Sequence, residues 1–173
     1  MEPSPLSKDK AKAQRLAYFE YIEKGGPRPS IMIMQDVDGE DRGYGAFWGE
    51  VQTNVHKALG CIGTVTDGCV RDIDMMAEGF FVLAGSIAPS HAWVHLVDFG
   101  GTVNVAGMLV NSGDLVHADR HGAVVIPAGM ADKVIAAAAL IARREAVILN
   151  AAKKPGFTVE ALKRAMGEAD DIH

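Results

Sequence analysis

Arg71 and Asp72 are adjacent residues whose side chains could act together on a small acidic molecule. They follow a β-type segment and a turn at Asp67-Gly68. An arginine guanidinium binds a carboxylate through two parallel hydrogen bonds, and an aspartate can hold a divalent cation. The same dipeptide is also typical of a surface ion pair, so by itself it leaves both interpretations open.

A glycine-rich turn over residues 43–49 lies between a predicted strand and a predicted helix. Its glycines let the backbone approach a ligand closely, and the helix that follows offers unpaired N–H groups to an anion. The spacing is not that of a dinucleotide-binding fingerprint, because the third glycine falls one residue late. The turn is therefore either an anion-binding loop or an ordinary connection.

Two histidine pairs, His91 with His95 and His117 with His121, have the spacing of metal ligands on one helix face. The residues around the first pair instead favour a strand over residues 93–99, in which residues four apart lie about 13 Å apart. His121 precedes a glycine and is typical of a turn. We therefore expect packed or hydrogen-bonded histidines here and no histidine-bound metal.

Alternating helical and β-type segments predict an α/β fold that positions these residues. The predicted helices span residues 7–24, 50–59, 130–151 and 158–167, and the predicted strands include residues 30–36, 62–68, 80–85 and 93–99. Ser7 and Thr158 are the expected helix caps, and His56 is expected to be an ordinary residue of a helix face. Short β runs punctuated by glycine over residues 101–127 predict hairpins or a small barrel. We expect a single domain over residues 1–173.

Composition excludes several classes of protein. The 173 residues are 49% hydrophobic and 23% charged, which is typical of a folded globular chain and not of a disordered or fibrous one. The net charge of −5 and the lack of a basic stripe argue against nucleic-acid binding. No apolar run approaches the ~20 residues of a membrane span, and the first fifteen residues carry no secretory signal, so we expect a cytoplasmic protein. Cys61 and Cys69 are expected to be buried thiols.

The spacing of three site residues carries a family resemblance. Glu50 is followed by twenty residues and then by Arg71-Asp72, within the segment TDGCVRD, and HADRHGAVVIP follows later. In these features residues 30–150 resemble the RraA-like family. That family includes the regulator of ribonuclease E activity and the class II 4-hydroxy-4-methyl-2-oxoglutarate and 4-carboxy-4-hydroxy-2-oxoadipate aldolases.

The resemblance implies a fold and an assembly. The expected fold is the family's swivelling β/β/α domain with flanking N- and C-terminal helices, the N-terminal part of which is expected to be shortened in this chain. The family assembles as trimers or as dimers of trimers with sites between subunits, so a homotrimer or hexamer is expected.

The resemblance also implies a metal site for Mg2+ or Mn2+. Asp72 would bind the ion directly, and Glu50, which stands where the aldolases typically have aspartate, would hold it through water. Glu145 is the expected equivalent of an acidic residue that a neighbouring subunit supplies. Both ions accept oxygen ligands, so this donor set suits either of them.

The implied substrate is a small 2-oxo acid. Arg71 would hold the acid, and the backbone at Gly49, Val51 and Gln52 would receive its carboxylate. The implied reaction is retro-aldol cleavage of acids similar to 4-hydroxy-4-methyl-2-oxoglutarate, or decarboxylation of oxaloacetate, through a metal-stabilised pyruvate enolate. The alternative is a non-catalytic regulator of the ribonuclease E type, which acts by binding protein.

Overall fold

The computed structural model describes residues 6–173. Residues 1–5, which belong to the N-terminal stretch in which no secretory signal is predicted, lie outside the described residues. The chain divides into two compact units, the first of which ends at Ile126 and the second of which comprises Pro127–His173. The single domain over residues 1–173 stays a prediction.

The first unit contains two helices and ten short strands. The helices are α1 (Lys8–Lys24) and α2 (Glu50–Ala58). The strands are β1 (Ser30–Met34), β2 (Ala46–Trp48), β3 (Cys61–Thr66), β4 (Cys69–Val70), β5 (Phe81–Leu83), β6 (Ser86–Ile87), β7 (Val103–Val105), β8 (Met108–Val110), β9 (Leu115–Asp119) and β10 (Gly122–Ile126). Short 3₁₀ helices span Gly39–Asp41 and Ile73–Met75.

The first six strands form two parallel sheets of three, in the orders β1-β3-β5 and β2-β4-β6. The remaining strands form the antiparallel hairpins β7–β8 and β9–β10, which confirms the hairpins predicted over residues 101–127. Ala106 and Gly107 connect β7 to β8, both with positive φ (50° and 91°). Two consecutive residues with positive φ form a tight turn whose twist matches the right-handed twist of the strands that it joins.

A buried cluster forms the core of the first unit. Its members come from α1, from β2 to β4 and from the segment before β5: Tyr18, Ile22, Trp48, Cys61, Val70, Ala77 and Phe80. Both cysteines are buried and free, as predicted. The predicted cap at Ser7 is also present, since its hydroxyl accepts a hydrogen bond from the Lys10 amide at 3.5 Å.

The second unit is a pair of helices, α3 (Ala131–Ala152) and α4 (Val159–Asp170). The Thr158 hydroxyl accepts a hydrogen bond from the Ala161 amide at 3.2 Å, which confirms the predicted cap of α4. Ala165 and Ala169 are buried on α4, where small side chains allow close helix packing. In the described part of the chain, no helix is long and apolar enough to cross a membrane.

The strand predicted over residues 93–99 is wrong. This segment is irregular, with a turn in which the Val94 amide donates to the His91 carbonyl at 3.2 Å and Ala92 has a φ of 43°. The Gln14 side-chain amide donates to the Val97 carbonyl at 3.2 Å. The β-branched and aromatic residues of this segment favour a strand, but among the described residues no neighbouring strand pairs with the segment.

His56 is a buried core residue rather than an ordinary residue of a helix face. Its Nδ1 lies 2.6 Å from the Gln52 carbonyl oxygen, so Nδ1 carries the proton and donates it. Nε2 then accepts from the Tyr18 hydroxyl at 2.8 Å, and the Trp48 ring packs at a centroid distance of 4.5 Å. Burial lowers the pKa of His56 to about 4 and raises that of Tyr18, so both groups are neutral at pH 7.

We expect His56 to make the stability of the protein depend on pH. Because its folded-state pKa of about 4 lies below the ordinary 6.5, the unfolded chain binds more protons between these values. The free energy of unfolding therefore falls as the pH falls through this window, by at most about 1.4 kcal/mol per pH unit.

Urea unfolding of the wild type and of His56→Gln from pH 7 to pH 4 measures this effect. The variant keeps a partner for Tyr18 and removes the titrating group, so the difference between the two proteins should change by about 3 kcal/mol. A difference that stays constant over this range would contradict the assignment.

Candidate functional site

The pairing of β2 with β4 brings two separate sequence segments together. Trp48 lies opposite Val70, and the Arg71 amide extends the pairing by donating to the Trp48 carbonyl at 3.0 Å. Ligand sites in parallel sheets lie beyond the carboxyl ends of the strands. Here that edge places the start of α2 beside Arg71 and Asp72.

Asp72 caps α2 from a different part of the chain. Gly49 is the N-cap residue of α2 and has no side chain with which to cap it. Asp72 Oδ2 instead accepts from the Glu50 amide at 3.4 Å, and its own backbone is left-handed, with a φ of 55°. A carboxylate is stabilised at this helix end by the partial positive charge of the exposed N–H groups.

The Arg71 guanidinium group contacts a backbone carbonyl and a carboxylate. Its Nη1 donates to the Ala46 carbonyl at 2.5 Å, and its Nε lies 3.3 Å from Asp72 Oδ2. The side chain is 18% exposed and that of Asp72 is 31% exposed. A guanidinium has five N–H donors, so these contacts leave donors for a ligand.

The first turn of α2 supplies further donors. The amides of Val51 and Gln52 have no intrahelical acceptor, because the first bond of this helix runs from the Thr53 amide to the Gly49 carbonyl at 3.0 Å. Gln52 Oε1 is buried without a hydrogen-bond partner among the described residues. The helix start therefore offers two amides next to Arg71.

Thr53 supports the site and was not singled out from the sequence. It is fully buried, and its hydroxyl accepts from the Ala77 amide at 3.0 Å. The same hydroxyl lies 3.0 Å from the Gly49 and Glu50 carbonyl oxygens, to either of which it can donate. These bonds tie the start of α2 to the segment that follows Asp72.

A pocket of about 450 Å³ adjoins the site. Its lining includes Val51, Gln52 and Arg71 together with residues 91–96. A larger cavity of about 760 Å³ in the same unit is lined by β1 and by residues 94–103 and 110–116, and contains none of the predicted site residues. Of these two, the smaller pocket is the one that contains predicted site residues.

The predicted histidines lie in two places. His91 and His95 line the pocket, and their Nδ1 atoms donate to carbonyls of their own segment at 2.7 and 3.2 Å. His117 and His121 are exposed on the β9–β10 hairpin, 3.8 and 3.3 Å from Asp119 Oδ2. Hydrogen bonds from the backbone and side chain of His121 lower the pKa of Asp119.

The carboxylates predicted to hold a metal lie in both units. Glu50 is exposed at the start of α2, next to Asp72, whereas Glu145 belongs to α3 of the second unit. Within residues 6–173, no group of three or more His, Cys, Asp or Glu side chains is arranged to hold a metal ion. The structure thus brings together Gly49, Glu50, Arg71 and Asp72.

A family model described as RraA-like, Aldolase/RraA, matches residues 10–125, which is more than half of the chain. The chain belongs to the RraA-like family. The family identified from the spacing of Glu50 and Arg71-Asp72 is thereby confirmed.

This RraA-like chain has relatives in archaea and bacteria. It is 34% identical to an uncharacterised protein of Methanocaldococcus jannaschii over 115 residues, which are 65% of this chain and 55% of that protein. It is 25% identical to a protein of Halalkalibacterium halodurans that is provisionally named a 4-hydroxy-4-methyl-2-oxoglutarate aldolase, over 91% of this chain and 68% of that one. The chain thus spans about half the length of the archaeal relative.

Solved structures confirm the fold. An uncharacterised protein of Pseudomonas syringae matches with a TM-score of 0.69 and 26% identity, covering 88% of this chain and 69% of that one. RraAS2 of Streptomyces coelicolor, described as an unusual member of the RNase ES inhibitor RraA protein family, matches with a TM-score of 0.59 and 25% identity. That match covers 78% of this chain and 66% of RraAS2.

We expect Gly49→Ala to disrupt the site while costing little stability. A Cβ atom at Gly49 would lie 2.7 Å from Asp72 Oδ2 and 3.0 Å from Arg71 Cγ, so both side chains must move. The φ of −171° is open to any residue, and replacing glycine by alanine at an N-cap costs about 1 kcal/mol or less.

A crystal structure and an unfolding curve of the variant test this expectation. Gly26→Ala is the matched control, because a Cβ atom there meets no heavy atom within 4 Å. If Asp72 still accepted a hydrogen bond from the Glu50 amide in Gly49→Ala, the close packing would be refuted.

Proposed function

We propose that this chain is a divalent-metal-dependent lyase of 2-oxo acids. Its reactions would be retro-aldol cleavage of acids similar to 4-hydroxy-4-methyl-2-oxoglutarate and decarboxylation of oxaloacetate. The observation that carries the proposal is the Asp72 carboxylate held between Arg71 and the start of α2. The relative provisionally named as such an aldolase supports it.

The residues present fit Mg2+ or Mn2+. The hydrogen bond from the Glu50 amide and the ion pair with Arg71 are both made by Asp72 Oδ2, which leaves Oδ1 for an ion. Glu50 adds a second carboxylate at the same helix end. Gly49 keeps the space beside Oδ2 free of a side chain. Asp72 would hold the ion directly, Glu50 through water and Glu145 from a neighbouring subunit. Mg2+ prefers a site with few protein carboxylates and several coordinated waters.

The 2-oxo acid would lie between α2 and Arg71. Its carboxylate would accept hydrogen bonds from the Val51 and Gln52 amides beside Gly49, where the helix end favours an anion. The free N–H donors of Arg71 would bind the oxo acid and orient it. The bound ion would supply Lewis acidity toward the 2-oxo group.

The cleavage breaks the bond between C3 and C4 of a 4-hydroxy-2-oxo acid. The hydroxyl proton leaves, C4 becomes a carbonyl carbon, and the electron pair of the broken bond passes to C3 to give the enolate of pyruvate. Glu50 would position the water that accepts this proton and returns it to C3. The products are pyruvate and a carbonyl compound, and oxaloacetate gives pyruvate and CO2 by the same bond cleavage.

We further propose a cytoplasmic homotrimer or hexamer, because a shared site would let Glu145 of one subunit reach the metal of another. The alternative function is a non-catalytic regulator that binds a ribonuclease of the ribonuclease E type. The likeness to RraAS2 is the observation that favours this alternative.

We expect the wild type to release pyruvate in the presence of Mg2+ or Mn2+ and not in EDTA. Asp72→Asn should lower kcat by roughly 100-fold or more, since it removes the charge that holds the ion. Asparagine suits this position because it tolerates the left-handed backbone of Asp72 better than alanine does.

Pyruvate is measured with oxaloacetate and with 4-hydroxy-4-methyl-2-oxoglutarate as substrates. Asp74→Asn, two residues away and exposed, is the matched control and should keep full activity. A folded wild type that releases no pyruvate from either acid, but co-purifies with a ribonuclease, would favour the regulator.

A further inference from the structure

The pocket beside the site has apolar walls. We call it the Trp93 pocket, after its most exposed aromatic side chain; Phe47, Val51, Trp93 and Leu96 supply apolar surface, and Arg71 lies in its lining. No Asp or Glu is among the described residues that line it. Ligand pockets are typically such apolar concavities with a few polar groups that fix orientation.

Trp93 lines this pocket and is largely exposed. The residue is 63% exposed, and within residues 6–173 the indole makes no ring contact with another aromatic side chain. The other tryptophan, Trp48, is 1% exposed and packs against Phe47, His56 and Phe80. An aromatic face without a partner at a pocket wall is a stacking surface for a ligand ring.

The segment that carries Trp93 is fixed at both ends. The Ser90 carbonyl accepts a hydrogen bond from the Ala46 amide at 3.1 Å, one residue before Phe47. The side-chain amide of Gln14 in α1 donates a hydrogen bond to the Val97 carbonyl at 3.2 Å. The segment that carries Trp93 is thus held by contacts to a strand and to a helix, and the pocket is part of the folded unit.

We infer that the Trp93 pocket binds an apolar arm, aryl or branched alkyl, on C4 of the 2-oxo acid. The inference rests on the proposed function and identifies the class of substrate. With the acid end held at Arg71 and α2, the arm would enter the pocket whose lining contains both Arg71 and Trp93. Cleavage of such an acid yields pyruvate and an aryl or branched aldehyde or ketone.

A second carboxylate on C4 is the competing arm. Besides Arg71, the other arginine of the lining is Arg15, which is exposed. The lining also has four uncharged polar or imidazole side chains, Gln14, Gln52, His91 and His95, but most of the pocket surface is apolar. Stacking and burial of a phenyl group favour binding by about 10- to 100-fold. We therefore expect the protein to select an apolar arm over a charged one.

The first test compares three substrates that differ only at C4. They are 4-hydroxy-2-oxo-4-phenylbutanoate, 4-hydroxy-2-oxopentanoate and 4-hydroxy-2-oxoglutarate, each followed by pyruvate release with Mg2+. We expect kcat/KM to be at least about 10-fold higher for the phenyl substrate than for the other two. Trp93→Ala should remove this preference and leave the methyl substrate unaffected, while Trp93→Phe should keep it.

Val97→Ala is the matched control, because Val97 lies in the same segment, is equally exposed at 63% and does not line the pocket.

The second test needs no cleavage. Calorimetry compares the binding of phenylpyruvate and pyruvate to the wild type and to both Trp93 variants. We expect phenylpyruvate to bind about 10-fold more tightly than pyruvate, and Trp93→Ala to abolish the difference.

The two tests separate this inference from the proposed function. Pyruvate release without a phenyl preference, or with a preference for the second carboxylate, would overturn the apolar arm and keep the lyase. No release from any substrate, with Trp93-dependent binding of phenylpyruvate, would overturn the lyase and keep the pocket assignment. Binding that is the same in Trp93→Ala and the wild type would overturn the pocket assignment.

Discussion

The parallel pairing of β2 with β4 is the constraint on which the site depends. Each strand is only two or three residues long, and each ends at the same edge of its sheet. The hydrogen bond from the Arg71 amide to the Trp48 carbonyl continues the ladder to the point where both chains leave it. Asp72 can then cap a helix that begins more than twenty residues earlier in the chain.

Helix α2 connects this site to the core. Its first turn presents free amides, and the next turn buries His56 against Trp48 and Tyr18. Gln52 takes part in both, since its carbonyl accepts from His56 while the residue also lines the pocket. Because interiors are tightly packed, a helix fixed by its buried face holds its first turn in place.

The irregular segment over residues 93–99 has the composition of a strand and the conformation of a loop. Loops positioned by a rigid scaffold commonly carry binding residues. Trp93 is such a residue. Hydrogen bonds from Gln14 and Ala46, rather than pairing with another strand, fix this segment. The pocket wall therefore depends on contacts to distant parts of the chain.

The sequence by itself determined the features that depend on near neighbours. Helix periodicity, the caps at Ser7 and Thr158 and the glycine-punctuated hairpins are local, and they agree with the structure. The family was also identified from the sequence, because the spacing of Glu50 and Arg71-Asp72 survives in the linear chain.

Only the tertiary structure decided which long-range partners each segment finds. A strand forms where another strand offers its backbone, and residues 93–99 have no such neighbour among the described residues. Likewise, His56 has the sequence context of a surface position, and its burial follows from α1 packing against α2 through Tyr18. Thr53 acquires its role in the same way, because a hydrogen bond to a distant amide leaves no mark on local spacing.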